Sequence, residues 1–238
     1  MTSSTTQQQQ PKTIYLIRHA QSEENRRLAS VKTAIKDLFK FSLPKSSDIY
    51  AGMELINIPA QIDSNVSPVG KSQINEMADA LKAANFLETE QIEMVVHSPL
   101  LRAKETSMGM LSCAAPDTRV APVQRVLELD LLLEKTPAEW TIRYSSFVQR
   151  LFDFETWLEQ QPESKIVLVG HSQFFKALLH LDFKFGNCDV WKVEFGGQPV
   201  EQNADDATAP KWSNLQKLFD CSLSDIEPKE LAREMDGK

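Results

Sequence analysis

Positive charge, cysteine and long apolar runs are all scarce in this sequence, and each scarcity excludes something. Twenty-six Lys and Arg against 33 Asp and Glu leave a net charge of −7 over 238 residues. Such a chain has no global basic field for coating nucleic acid, so no nucleic-acid partner is expected. The three cysteines, Cys113, Cys188 and Cys221, form no C-x-x-C pair and cannot close a full set of bridges. They read as thiols that pack in a reducing compartment. No run of about 18 apolar residues occurs anywhere, so no membrane association is expected. Residues 1–11 are rich in Ser, Thr and Gln without the apolar stretch of a secretory signal, and they read as a disordered leader. The expected location is cytoplasmic.

What is present is the composition of a globular protein, 42% hydrophobic and 25% charged, with enough chain to bury a full core. Thr13 to Ile17 is a short apolar run rich in β-branched and aromatic residues, and it stops at Arg18-His19 before a polar, helix-compatible stretch from Gln21 to Ala29. The same syntax recurs at Ile92 to Val96 before His97-Ser98-Pro99, and at Ile166 to Val169 before Gly170-His171-Ser172. Continuous rather than alternating apolarity predicts strands buried on both faces, hence a mostly parallel central sheet between helices, an α/β/α sandwich. Val120 to Leu133 reads as a further extended region and Asp189 to Phe195 as a late strand. Helices are predicted over Pro68 to Asn85, Pro99 to Leu111, Pro137 to Glu159 and Ser172 to Leu181, three of them opened by a proline in the first turn.

Two segments break this rhythm. Residues 30–64 carry Lys32, Lys36 and Lys40 at i, i+4 spacing, which fits either an amphipathic surface helix with a solvated lysine stripe or a cap-like insertion over a site. If the stripe faces a site, substrates with a second anionic group are favoured. Residues 198–238 form an acidic tail, expected to be partly helical, with Asn214 to Leu223 docking as a short helix. The catalytic domain is accordingly expected to span residues 12–197.

In an open α/β sheet, ligands bind beyond the carboxyl ends of the strands, and His19, Ser98 and His171 all fall there. Helices that follow such strand ends point their amino termini at the same crevice, which favours an anion. If Ser98 caps the second of these helices and Pro99 opens it, Arg102 lies in the first turn, where the dipole disfavours a cation unless an anion sits beside it. Arg18, ending a buried strand, poses the same problem. A phosphate dianion satisfies both guanidiniums through forked, charge-assisted hydrogen bonds.

Four blocks now stand in order: Leu16-Ile17-Arg18-His19-Ala20-Gln21-Ser22-Glu23-Glu24-Asn25, Ser67-Pro68-Val69-Gly70-Lys71-Ser72-Gln73, Ser98-Pro99-Leu100-Leu101-Arg102-Ala103 and Gly170-His171-Ser172. In sequence and spacing they resemble the histidine phosphatase superfamily, the phosphoglycerate-mutase-like family, over roughly Thr13 to Leu181. The resemblance implies the phosphoglycerate-mutase-like fold and a metal-independent phosphomonoester hydrolase for a small phosphorylated metabolite, needing no cofactor. It implies that His19 is the nucleophile and forms a phosphohistidine, that Arg18, Arg102 and His171 hold the phosphoryl oxygens, and that Asn25, Ser22 and Ser172 contribute to substrate binding. A neutral imidazole is a competent nucleophile near pH 7, and cationic donors stabilise charge on the equatorial oxygens. His171 serves best protonated, a form that a nearby phosphate favours.

The leaving alkoxide needs a proton, which the family supplies from a carboxylic acid between the Arg102 block and the second histidine. Glu134, at an apparent strand-to-helix junction, is the preferred candidate, with Glu128 its competitor. His97 reads as a packing or rim residue and His180 as a helix-terminal one. Ser172 reads equally as the cap of its helix. A metal hydrolase finds no H-E-x-x-H, H-x-H or clustered aspartates. A serine hydrolase fails because Phe174 stands where the nucleophile-elbow pattern requires glycine. Two alternatives stay open: a phosphomutase, against which stands Leu133-Glu134-Lys135-Thr136 in place of the mutase pattern Asn-Glu-Arg-His, and a catalytically silent phospho-ligand-binding or scaffold protein.

Overall fold

The computed structural model describes residues 11–23, 63–112, 123–136, 139, 143–196 and 211–223. Residues 1–10 of the expected leader, Asn25, almost all of the cap-like insertion with its three lysines, and Cys113 lie outside them.

Six strands form one sheet: β1 (Lys12–Arg18), β2 (Met94–His97), β3 (Arg125–Glu128), β4 (Lys165–Gly170), β5 (Val190–Phe195) and β6 (Trp212–Phe219), in the order β3-β2-β4-β1-β5-β6. The first four in that order are mutually parallel, and β5 runs antiparallel to both of its neighbours. Alternate residues of β1 enter two separate cores. Tyr15 and Ile17 pack with Ile74, Met77 and Leu81 of helix α1 (Pro68–Ala83), and with Met110 of α3 (Leu101–Leu111), which follows the short α2 (Phe86–Thr89). Ile14 and Leu16 pack on the other face with Phe147 and Phe154 of α4 (Tyr144–Glu159) and Phe174 and Phe175 of α5 (Ser172–Leu178). This is why the strands read as unbroken apolar runs: both faces are covered. The three-layer sandwich follows. No helix among the described residues is long and apolar enough to cross a membrane.

Helix α1 begins as its sequence indicates, with the Ser67 hydroxyl accepting from the Gly70 N–H at 3.1 Å and Pro68 in the first turn. Gly70 is also where backbones meet, since a Cβ there would lie 2.2 Å from the Gln21 carbonyl oxygen. Cys188 and Cys221 are free and buried, and burial pushes the Cys221 thiol up to about 12, so these two thiols pack rather than react.

Several elements differ from expectation. The helix expected to be capped by Ser98 and opened by Pro99 starts at Leu101, with Leu100 extended in the cap position. Its first N–H is instead met by the Asp63 carboxylate at 2.5 Å, a cap borrowed from the far end of the inserted segment. Val120 to Leu133 resolves into β3 and a 3-10 turn, Asp130–Leu132. The helix expected from Pro137 has its described body at Tyr144–Glu159, with Pro137 itself outside the described residues. Helix α5 ends at Leu178, short of Leu181, and His180 follows in a left-handed conformation, φ 52°.

The largest difference is the tail. Asn214 to Leu223 is not a docked helix: Trp212–Phe219 is strand β6, paired with β5, so the sheet extends past the expected boundary at residue 197. Bulges explain the misreading. Asn214 sits at φ 56°, and register shifts fall between Lys192 and Glu194 and between Val190 and Trp191. An extra residue resets the alternation, so Trp212 and Leu215, three apart, face the same core and imitate a helical period.

Candidate active site

The site is assembled by strand register. Arg18 pairs with Gly170 across β1 and β4, and Val169 pairs with His97 across β4 and β2. Three strands therefore end side by side. The ladder runs on past each end, with the His19 N–H donating to the Gly170 carbonyl at 2.9 Å and the Ser98 N–H to the Val169 carbonyl at 3.0 Å. Histidines 152 residues apart by subtraction of their numbers thus stand with ring centroids 5.0 Å apart.

Each ring is oriented by a neighbour. His19 Nδ1 lies 2.6 Å from the Ala20 carbonyl oxygen, while His171 Nε2 shares a 2.8 Å hydrogen bond with the Ser98 hydroxyl. The loop bearing His19 is clamped from two sides. Thr106 accepts from the Ala20 N–H at 2.9 Å while donating to the Arg102 carbonyl at 2.6 Å, and Asn187 Nδ2 donates to the His19 carbonyl at 2.6 Å. Arg18 Nη1 donates to the Phe185 carbonyl at 2.6 Å, and Arg102 is buried in the first turn of α3.

Both histidines are pushed well below their ordinary value, His19 by burial and then by the charges of Arg102 and Arg18, His171 by burial, His19 and the same two arginines. They are neutral near pH 7 in the free protein. Glu134 shows the opposite behaviour, since burial raises its carboxyl above the usual range despite the lowering effect of the Lys135 N–H and nearby cations. Its Oε2 is 3.7 Å from His171 Nδ1. A neutral nucleophile candidate, a carboxyl biased towards its protonated form and two permanent cations share one crevice, the separation of proton affinities that acid–base chemistry needs.

The competing carboxylates part company. Glu134 joins His19 and His171, their ligand atoms all within 4.8 Å of one another, whereas Glu128 is 39% exposed and ion-paired with Lys104 at 3.5 Å. The same three side chains have spacing suited to a metal ion. Two adjacent guanidiniums, however, make the surroundings favourable to an anion and costly for a dication.

Ser22 is buried, bridged to Val66 opposite it. Ser172 is the first residue of α5 rather than its cap, a place taken by His171; its buried hydroxyl has no hydrogen-bond partner among the described residues. His97 packs, with Nδ1 2.9 Å from the Ser98 carbonyl oxygen, and His180 is exposed. Sequence reasoning missed Thr106, Asn187 and the role of the Ser98 hydroxyl. Ser98 carried a usable signal, its place at a strand end. Thr106 and Asn187 act on main-chain groups, which leave no motif.

No protein-family model and no curated protein matches the chain. Solved structures do. A mycobacterial hydrolase, called hydrolase 2, is 15% identical with a TM-score of 0.50, covering 95% of this chain and 97% of that one. A second, mycobacterial hydrolase 1, has the same identity, 15%, and TM-score, 0.50, over 86% of this chain and 96% of its own. A phosphoserine phosphatase from Entamoeba histolytica, solved with 3-phosphoglyceric acid, is 19% identical over 79% of this chain and 93% of that one, at a TM-score of 0.46. The likeness to the two mycobacterial hydrolases is one of fold, a mixed, mostly parallel six-stranded sheet between helices.

Proposed function

We propose that this protein is a phosphomonoester hydrolase that works without a metal, through a phosphohistidine at His19, on a small phosphorylated metabolite. The observation that carries this reading is the meeting of a neutral His19 and a raised-pKa Glu134 within a cluster whose ligand atoms lie within 4.8 Å, beside the charges of Arg18 and Arg102.

His19 Nε2 attacks phosphorus, and the bond from phosphorus to the ester oxygen breaks. Glu134 gives its proton to the departing alkoxide. Arg18, Arg102 and His171 bear the charge on the equatorial oxygens, and the approach of the phosphoryl dianion draws a proton onto His171. Water, deprotonated by the Glu134 carboxylate, then attacks the phosphohistidine, freeing inorganic phosphate and returning His19 and the protonated Glu134. Asn25 and Ser22 are assigned to substrate binding on the resemblance of their block alone.

The test is hydrolysis of an aryl phosphate by the wild type and by His19→Ala, each with excess chelator. Turnover by the wild type alone is expected. Loss of wild-type turnover on adding chelator would transfer the His19, Glu134 and His171 cluster to a metal. No turnover in either protein, with phosphate still raising the melting temperature, would favour a narrow mutase or a silent binding protein.

A further inference from the structure

Arg150 stands on α4, outside every block that marks the site, yet its guanidinium is spent on the segment that carries Glu134. Nη1 donates to the carbonyl oxygens of Leu131 at 3.2 Å and Leu133 at 2.5 Å, and Nη2 approaches that of Glu134 at 3.5 Å. The other edge is gripped by Glu139, with Nη2 2.9 Å from Oε2 and Nε 3.3 Å from Oε1. Glu139 is in turn fixed by a reciprocal pair, its carboxylate accepting from the Thr136 N–H at 2.8 Å and its own N–H donating to the Thr136 hydroxyl at 3.2 Å. Phe147 and Phe174 lie against the guanidinium, with ring centroids 5.1 and 5.7 Å from Cζ. One planar cation therefore ties together the chain before Glu134 and the chain after it.

The Glu134 side chain feels the charges of Arg102, Arg18 and Lys184 but takes its orientation from closer contacts. Oε1 accepts from the Lys135 N–H at 3.0 Å, and Oε2 reaches only to within 3.7 Å of His171 Nδ1. An acid must lie within hydrogen-bond reach of its proton's destination, and displacement by about 1 Å can cost on the order of 100-fold in rate. The geometry points to Arg150, locked by Glu139, as the positioning residue that aims the Glu134 carboxyl into the site. Lysine cannot replace it, since a point charge lacks the fork that serves two carbonyls and a carboxylate at once. This inference rests on the hydrolase reading for its kinetic consequence but not for its structural one.

A plain structural rivet would fail uniformly, so two readouts are used. In the substrate-free protein, the His171 ring 15N signals and their pH titration are compared among wild type, Glu134→Gln, Arg150→Met and Arg150→Lys. Because the Arg150 charge itself lowers His171, the charge-keeping Arg150→Lys is the decisive variant here: it is expected to move the His171 titration as Glu134→Gln does, and unchanged His171 signals in folded Arg150→Lys would overturn the assignment whatever the protein catalyses. In turnover, Arg150→Met is expected to slow alkyl phosphates about 100-fold and aryl phosphates only a few-fold, without rescue by Arg150→Lys. Joined to Glu134→Gln, it is expected to add almost nothing, as for two residues acting through one function. Equal loss on both substrate types, or full additivity with Glu134→Gln, would also sink it. Should Arg150→Met fail to fold, Glu139→Gln weakens the same grip and is held to the same outcomes. An inactive wild type with coupled His171 titrations would defeat the hydrolase reading while leaving the positioning role standing.

Discussion

His19 Nδ1 and the Ala20 carbonyl oxygen are 2.6 Å apart, and this one contact selects the nitrogen that can react. A carbonyl oxygen only accepts, so the neutral ring carries its proton on Nδ1 and leaves the lone pair on Nε2. The loop is not free to reverse this choice, because the Ala20 N–H is bound by Thr106 and the His19 carbonyl by Asn187.

Phosphorylation is therefore expected at Nε2. Protein quenched in alkali during turnover should give the 31P and 15N signature of an Nε2-phosphohistidine at residue 19. An Nδ1 adduct, or phosphate on any other residue, would show that the ring turns before it reacts.

Glu134→Gln should slow hydrolysis of alkyl phosphates by about 100- to 10,000-fold, the range of a general acid. Aryl phosphates, whose leaving groups need little protonation, should lose under about 10-fold in the transfer step. Glu128→Gln should change neither, because that carboxylate is 39% exposed and serves Lys104, an ion pair of a kind worth about 1 kcal/mol or less. Kinetics of the three proteins on a leaving-group series decide the matter, and a selective loss in Glu128→Gln would reverse the assignment.

The legible and illegible parts of this protein divide along a physical line. The meeting of Arg18, His19 and His171 is legible because strand ends leave a sequence mark, an apolar run that stops at a polar residue, and register then brings those ends together. Glu134 is only preferred to Glu128 by its place at the end of the extended run in which Glu128 lies, because the 3-10 turn at Asp130–Leu132 that divides the two leaves no mark in the sequence. Strand β6 was hidden by a bulge at Asn214 that turns a period of two into a period of three. The Asp63 cap on α3 was beyond reach for another reason: it joins residues far apart in sequence through a backbone N–H, and main-chain donors are the same at every position.

Gly70→Ala tests the close approach of α1 to the loop that follows His19. The added Cβ would sit 2.2 Å from the Gln21 carbonyl and 2.5 Å from a Val66 methyl, and one of these is backbone that cannot swing aside. The same loop is held by the Ser67 N–H donating to the Gln21 carbonyl at 2.9 Å and the Gln21 N–H donating to Gln73 at 2.8 Å. Destabilisation of about 1–3 kcal/mol is expected from the overpacking, read by urea unfolding. Activity per folded molecule should fall too, because the strain is passed to the segment leading back to His19; full activity with unchanged stability would show that the helix simply moves away.

Acid should weaken this fold before its carboxylates are neutralised. His19 and His171 are held neutral, their folded values well below the ordinary 6.5, by burial and by Arg102 and Arg18. An unfolded chain takes up both protons as the pH falls through about 6.5, while the folded chain does not, so the unfolded state binds more protons and stability drops. Their contribution is fully present above that value. Glu134 acts in the opposite sense, because its folded value is raised above the ordinary 4.5: its contribution is complete below 4.5 and is lost as the pH rises through the folded value. Two histidines against one carboxyl predict a melting temperature that declines from pH 7 to pH 5, with a visibly smaller decline in His19→Asn/His171→Asn. An anion should offset the loss. Sulfate, dianionic throughout, favours the charged form of His171 and stabilises in proportion to its differential binding, so its effect on the melting temperature should be larger at pH 5.5 than at pH 7.5. A sulfate effect independent of pH would mean that His171 takes up no proton when the crevice is filled.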